Sequence, residues 1–596
     1  MRRGATACYR RVLVNDNAAH SRPLPCSRWP WVAILLLGAL AYYGSYWRHG
    51  INFRDEGGTV TLLAKRLLDG EVPFRDVELG YNVGWFFPIV ALFKITGVSF
   101  VALRIYFFAL STLAAVLGFL TVERAARHAG LKPLAALPLA LLAGAMLIVV
   151  PGMTFKNYNP LATVANTWCL LGFVLAKETR PACWRALAGG LVLGATWLVR
   201  IDLGTFWSVL WIGVCLARLA ERKTGIITRF TIAGAWLAIV AASVAVMHAP
   251  VLFDAKSRGY YDQFTGAYPS QWRALAQKAG GSKTPLAQPA APKAGPAAPA
   301  AAKKPSFKWS EETLGRTTWH DVAAAKGKAR SDSLGLFLLT YFPLLSLIPF
   351  IVWAAARWLR AVARGEDTMT PLAALTLLGG ALTMFPQFFF WRPDSPHLSE
   401  FGPGYWTAVL GTSALLGAGH SWRAPARWLA VFLALHAGVW LWRMFPDRWC
   451  GTIAARWNRS TLFVGENGVR IYEQKQTVAW MNDALRLIRA HSQPGDYLLA
   501  YPYHPSFNIL ADRPTYERNV YVDNATARPG WSEAAIQRIE KNKPAIIIVG
   551  DWDLNGTDAS RFRNWAAPAY AHIREHYELI GAFDERDKFE IYARRR

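Results

Sequence analysis

The sequence predicts a polytopic α-helical membrane protein of about 11 transmembrane helices with a C-terminal α/β extracytoplasmic domain. Uncharged apolar runs of about 17 to 23 residues recur between positions 29 and 445, each matching as a helix the hydrocarbon core of a bilayer. The chain is 53% apolar with 27 tryptophans among its 596 residues. Beyond Phe445 the long runs stop, and short apolar segments alternate with amphipathic stretches as in a soluble α/β module.

The first run, 29–47, follows Arg2, Arg3, Arg10, Arg11, Arg22 and Arg28. It has no small-residue cleavage site and ends in Tyr42, Tyr43, Tyr46 and Trp47, an interfacial aromatic belt, so it reads as a retained anchor behind a cytoplasmic tail (1–28). Further spans are expected near 100–122, 133–150, 161–176, 186–200, 203–217, 230–252, 334–356, 370–390, 404–419 and 427–445. Basic residues then mark every second loop: Arg124, Arg127 and Lys132; Lys177, Arg180 and Arg185; Arg218, Arg222, Lys223 and Arg229; Arg357, Arg360 and Arg364; Arg423 and Arg427. Because Lys and Arg in short loops orient spans, these loops are expected in the cytoplasm. Counting Tyr81 to Ile95 as a span would invert the pattern, and with Pro88 and Lys94 inside it that segment is expected along the outer surface.

This topology puts the loop 48–99, the loop 253–333 and the domain 446–596 outside. The net charge of +26 is then largely an orientation signal, aided by anionic lipid headgroups, and calls for no nucleic acid. Six cysteines stand at 8, 26, 169, 183, 215 and 450, with no CxxC pair and no Cys/His cluster of metal-ligand spacing. Residues 277–304 are almost entirely Ala, Pro, Lys, Gly and Gln, which bury too little apolar area to offset ordering entropy; the insert reads as a spacer, the alternative being a lid.

In the C-terminal part, Gln476 to His491 and Ser532 to Asn542 have helical spacing, Tyr497 to Tyr501 and Ala545 to Val549 read as strands, and a helix near Ala569 to His576 precedes a strand Phe589 to Ala593. Tyr501-Pro502-Tyr503-His504-Pro505 and Asp551-Trp552-Asp553 follow two of these strands, a common ligand position in α/β folds. The domain reads either as an acceptor-binding module or as a structural cap.

The residues with the most chemical content are Asp55 and Glu56, an acidic pair just outside the first span of a chain whose long apolar runs carry almost no carboxylates. The run Arg54-Asp55-Glu56-Gly57, then Asp69-Gly70-Glu71-Val72-Pro73-Phe74-Arg75-Asp76, then Phe93-Lys94-Ile95-Thr96-Gly97 and Arg104, resembles the first outer loop of the GT-C glycosyltransferases. It is most similar to the bacterial relatives of protein O-mannosyltransferases and of the lipid A aminoarabinose transferase. The resemblance extends to Arg200-Ile201-Asp202 and to Arg392-Pro393-Asp394-Ser395-Pro396-His397.

The resemblance implies a GT-C-like membrane enzyme (29–445) of the bacterial inner membrane, N-terminus cytoplasmic and C-terminus periplasmic. It would move a hexose or pentose, with inversion, from a polyprenyl-phosphate donor to a lipid, polysaccharide or protein acceptor. A carboxylate fixed above the bilayer suits deprotonation of an attacking hydroxyl, which gives Asp55 the role of base and Glu56 that of orienting the acceptor or holding a cation. The alternative is that both acids complement the dipole of the following helix.

Arg200 and Arg392 suit the donor phosphate, with Asp202, Asp394 and His397 beside them; the alternative is a snorkelling arginine paired to its own aspartate. Family members often carry an acid in the second outer loop, where some help hold a divalent metal. This sequence has Asn157 and Asn159 there, either substrate-binding or turn-forming residues before Pro160, which leaves metal dependence unsupported. Other function classes compatible with the sequence are an envelope lipid or polysaccharide transporter and a non-catalytic assembly scaffold.

Overall fold

The computed structural model describes residues 27–51, 55–150, 157–220, 225–279, 319–386, 395–416, 432–433, 435–440, 458–524, 527–551, 558–583 and 588–595. Its helical part runs α1 (Trp29–Gly44), a π-helical turn (Asp55–Val60) leading directly into α2 (Thr61–Leu68), α3 (Val83–Thr96), α4 (Phe100–His128), α5 (Pro133–Val149), α6 (Tyr158–Val174), α7 (Thr179–Val199), α8 (Ile201–Ala217), α9 (Ile226–Ser257), α10 (Tyr261–Ala279), α11 (Trp319–Ala324), α12 (Gly327–Arg364), α13 (Met369–Leu382) and α14 (Ser395–Leu416).

Local chemistry sets several of these boundaries. The Ser99 hydroxyl accepts from the Ala102 amide at 3.3 Å to start α4, and Pro133 opens α5, where a missing N–H costs nothing. Gly365, at a φ of 69°, closes α12 in the left-handed conformation. Among the described residues, five helical stretches are long and apolar enough to cross a membrane: Phe100–His128, Thr179–Val199, Ile201–Ala220, Ile226–Ser257 and Ser333–Arg364. The chain is therefore a multi-pass membrane protein, as the sequence predicts. The shorter apolar helices α1, α5 and α13 accompany them, and most of the expected span 427–445 lies outside the described residues.

Helix α3, with 14 residues, is about 21 Å long, the same length as α13. Helices within the bundle approach closely over small residues: a Cβ on Gly189 would meet the Trp211 ring at 2.1 Å, and one on Gly190 the Ser243 Cβ at 2.6 Å. By contrast, α9 leaves Phe230, Val246 and Phe253 exposed, a face for lipid. The insert 277–304 falls outside the described residues except for its first three positions, which end α10.

The C-terminal part contains a hairpin of β1 (Thr461–Val464) and β2 (Arg470–Glu473), then α15 (Lys475–His491), β3 (Leu498–Tyr501), α16 (Ser506–Leu510), α17 (Trp531–Asn542), β4 (Ile546–Gly550), α18 (Phe562–Trp565), α19 (Ala567–His576), β5 (Tyr577–Phe583) and β6 (Phe589–Arg594). The main sheet has the order β3-β4-β6-β5, with β3 and β4 parallel and the remaining pairs antiparallel. Every helix and strand expected there is present. The hairpin and β5 were not anticipated.

This domain is not a separate ball on a tether. One apolar core joins Val60, Leu63, Trp85 and Phe93 of the first outer segment to Phe463, Met481, Leu510 and Ile546 of the C-terminal part. Main-chain hydrogen bonds cross the same boundary: Gly50 N to Tyr472 O at 2.8 Å, Tyr472 N to Arg48 O at 2.7 Å, and Glu78 N to Arg518 O at 2.8 Å. The chain leaving α1 thus pairs with the edge of the β1–β2 hairpin, which satisfies backbone groups at an otherwise open strand.

Candidate active site

Two groups of functional residues are held on this frame. The first is the turn that begins at Asp55 and Glu56. It runs without a break into α2, whose Leu62, Leu63, Ala64 and Leu67 are buried, and it packs against α16 of the C-terminal domain. Asp55 and Glu56 therefore occupy the first turn of a helical segment, while their side chains lie outside the described residues.

The chain on the N-terminal side of that turn is fixed by Arg104, which is 1% exposed. Its guanidinium donates to the carbonyl oxygens of Trp47 at 3.1 Å and His49 at 3.3 Å, and also to that of Gly50. Beyond α2, buried Arg66 donates to both Glu71 carboxylate oxygens, to Asp76 O at 3.3 Å and to Glu517 O at 2.6 Å. Asp76 closes the Val72–Asp76 turn by accepting from the Val72 amide at 2.9 Å, and the Arg75 guanidinium beside it holds its carboxyl below the usual carboxylate range. Arg66, Glu71 and Asp76, from the stretch after the acidic pair, thus act on their own loop and on the neighbouring domain.

The second group gathers at the end of α7 and the starts of α6, α8 and α14. Arg200, the residue between α7 and α8, donates Nε to Asp202 Oδ1 at 3.0 Å and Nη2 to Oδ2 of the same carboxylate. Its Nη1 stands 3.8 Å from Glu400, and Glu400 accepts from Asn159 Nδ2 at 2.5 Å. With Arg200 6% and Glu400 0% exposed, the arginine is buried, and the carboxylate it holds most closely is that of its own Asp202. Asn159 Oδ1 is buried without a hydrogen-bond partner among the described residues. Asn157 instead donates to Phe107 O at 3.1 Å and anchors α6 to α4.

The structure thus brings Arg200, Asp202 and Asn159 together through Glu400, a residue that the sequence reading did not single out. Arg392 and Asp394 lie outside the described residues; His397 is in the first turn of α14, its side chain likewise not described. Among the described residues no three His, Cys, Asp or Glu side chains cluster in a way that would hold a metal ion.

The two groups share a support. Val60 after the acidic turn, Tyr158 beside Asn157 and Asn159, and Leu198 and Val199 before Arg200 belong to one apolar core. Asn82, which caps α3, donates its backbone N–H to Val199 O at 3.4 Å and its side-chain amide to Trp197 O at 3.1 Å. Next to this contact a groove of about 370 Å³ opens between α7, α9 and α10, lined by Trp197, Val244, His248, Leu252, Phe264 and Tyr268 among others. His248 Nε2 lies 3.1 Å from the Tyr268 hydroxyl at its wall.

The aromatic side chains of the loop after β3 are buried within the domain. Tyr501, Tyr503 and His504 are 4%, 1% and 2% exposed, and the two phenols donate to Glu517 at 2.6 Å and Asp523 at 2.8 Å inside the domain. Trp552 and Asp553 lie outside the described residues.

No protein-family model matches the chain, and no curated protein matches it in sequence. Among solved structures, it is similar to ArnT from Cupriavidus metallidurans bound to undecaprenyl phosphate, at 14% identity and a TM-score of 0.49 over 95% of this chain and 98% of that one. The apo state of the same protein aligns at 13% identity and a TM-score of 0.45, with the same coverage. The Archaeoglobus fulgidus oligosaccharyltransferase, in a complex with Zn and sulfate, aligns at 12% identity and a TM-score of 0.46 over 94% of this chain and 73% of that one.

Proposed function

We propose that the protein is a GT-C-type glycosyltransferase that moves a hexose or pentose from a polyprenyl-phosphate carrier to a hydroxyl acceptor at the periplasmic face of a bacterial inner membrane. One observation carries this reading: the Asp55–Glu56 turn and the buried Arg200–Asp202–Glu400–Asn159 cluster are held on one apolar core. An acid at the start of a helical turn and a polar cluster at the helix ends suit a reaction that moves a sugar from a lipid phosphate to a polar acceptor.

In this reaction the Asp55 carboxylate takes the proton of the acceptor hydroxyl as its oxygen forms a bond to the anomeric carbon. The bond from that carbon to the phosphate oxygen breaks on the opposite face, which inverts the configuration and releases polyprenyl phosphate. Glu56 orients the acceptor. The cluster around Arg200 has one cation against two carboxylates, so a phosphate there needs further donors. Arg392, eight residues before Glu400 in the chain, supplies the second guanidinium, with Asp394 and His397 beside it. Asn159 Oδ1 accepts from a sugar hydroxyl, and the isoprenoid chain lies in the apolar groove beside Trp197.

The test is transfer by purified protein supplied with polyprenyl-phosphate sugars, together with mass spectrometry of envelope glycans and lipids from cells with and without the gene. A sugar missing from one glycan or lipid in the deletion strain, restored by the gene, is the expected result. Unchanged envelopes and no transfer from any such donor would refute the reading.

A further inference from the structure

At the opposite end of the bundle, two arginines converge on one indole. Arg124 near the end of α4 and Arg185 in the second turn of α7 place their guanidinium carbons 4.8 and 5.5 Å from the ring centroid of Trp168 on α6. Arg124 also donates Nη1 to the Trp168 carbonyl oxygen at 3.2 Å. Gly172, one turn further along α6, makes room for both: a Cβ there would lie 2.6 Å from Arg124 Nη1 and 3.3 Å from Arg185 Cδ. Arg28, ahead of α1, is a third cation within electrostatic range of Arg124.

The balancing negative charge is small. Glu123, beside Arg124 in sequence, is buried and bridged to Arg127 at 2.5 Å. Among the described residues neither Arg124 nor Arg185 forms an ion pair, and Arg185 makes no hydrogen bond. Arg218 on the same side differs: it donates to Val174 O at 2.6 Å and Ala176 O at 3.3 Å, and so caps the end of α6. Like charges brought together in a partly buried site repel, and a shared anion removes the repulsion.

The position in the bundle selects the anion. Arg185 and Arg200 are separated by about 22 Å along α7, so this cluster is remote from the candidate active site. Helix α4, with 29 residues, is about 43 Å long and exceeds the hydrocarbon core, which leaves Arg124, four residues from its end, at headgroup depth. Trp29 and Trp184, next in sequence to Arg28 and Arg185, are each 64% exposed, apolar faces for acyl chains beside the cations.

We infer that Arg124, Arg185 and Trp168, with Arg28, form a binding site for the phosphate of an anionic phospholipid, distinct from the donor site. The guanidinium forks of Arg124 and Arg185 hold the phosphate oxygens, and the exposed indoles pack against the acyl chains. Inorganic phosphate shares the recognised group, so the test must separate it from the lipid.

Detergent-purified full-length protein would be titrated with phosphatidylglycerol, with phosphatidylcholine of the same chains and with inorganic phosphate, binding being read by native mass spectrometry and by thermal shift. The site predicts retention of phosphatidylglycerol and a rise in Tm with that lipid alone. Arg124→Gln with Arg185→Gln should weaken its binding at least tenfold. Arg185→Gln alone, which disturbs no hydrogen bond, should weaken it at least threefold with the ligand-free Tm unchanged, while Arg360→Gln, at an exposed basic position, should not change it. Equal binding of phosphatidylglycerol by parent and Arg185→Gln, an equal loss in Arg360→Gln, or equal stabilisation by phosphatidylcholine or inorganic phosphate would each overturn the assignment.

Discussion

Asn159 donates its side-chain amide to Glu400 at 2.5 Å, a contact between residues 241 positions apart that ties the start of α6 to the start of α14. Glu400 also faces Arg200 at 3.8 Å, so one fully buried carboxylate organises an arginine and an amide from two further helix ends. An ionisable group inside a membrane bundle is retained when it has such partners and a function. Glu400→Ala removes the acceptor of a buried amide and one of two carboxylates facing Arg200. Its expected cost is about 1–3 kcal/mol, read by thermal unfolding. Glu400→Gln keeps a carbonyl oxygen for Asn159 and should destabilise less in the same measurement.

Arg66 makes the corresponding link between the first outer segment and the C-terminal domain, through Glu71, Asp76 O and Glu517 O. Arg66→Ala should cost about 3 kcal/mol, the low end for breaking a buried pair, because Glu71 keeps some solvent. Limited proteolysis should then cut between α2 and α3 sooner than in the parent. Undiminished stability and an unchanged cleavage pattern would mean that the shared apolar core alone holds the domain in place.

Much of the fold is legible in the sequence. The start of α5 at Pro133 and the end of α6 near Lys177 follow from apolar runs meeting a proline or a basic loop, and α15, β3, α17 and β4 follow from local periodicity. Strand β5 does not, because Tyr577 continues directly from α19 without a turn and a register shift at Leu579/Gly581 blurs its alternation. Glu400 had a signal, a carboxylate between Pro396 and Pro403 in an aromatic helix, yet the apolar run beginning at residue 404 drew the span past it. The contacts of Arg66 with Glu517 and of Gly50 with Tyr472 bridge more than four hundred residues, beyond anything that local periodicity encodes.

Replacing Arg392 with Gln should weaken binding of a polyprenyl phosphate at least tenfold and leave binding of a neutral polyprenol unchanged, since only the phosphate needs a guanidinium fork. Lys should restore part of the loss. Arg200→Gln should weaken the same lipid and also lower Tm, because Asp202 and Glu400 lose a buried cation. Tight phosphate-lipid binding by both variants would assign these arginines a purely structural role.

Topology is open to reporter fusions. The alternation of basic loops predicts a cytoplasmic N-terminus and a cytoplasmic loop near Arg222, with the loop near Lys293 and the C-terminus outside. A cytoplasmic reporter signal from the C-terminus would move Asp55 to the wrong side of the membrane for a periplasmic reaction.

The central claim is that Asp55 is the base that deprotonates the acceptor. The most direct measurement compares turnover by purified parent and Asp55→Asn protein on a polyprenyl-phosphate sugar donor, with Tm recorded on the same samples. Removal of a positioned base predicts a fall in transfer of about 100-fold or more with Tm unchanged. Turnover within a few-fold of the parent would contradict the account and take Asp55 out of the mechanism.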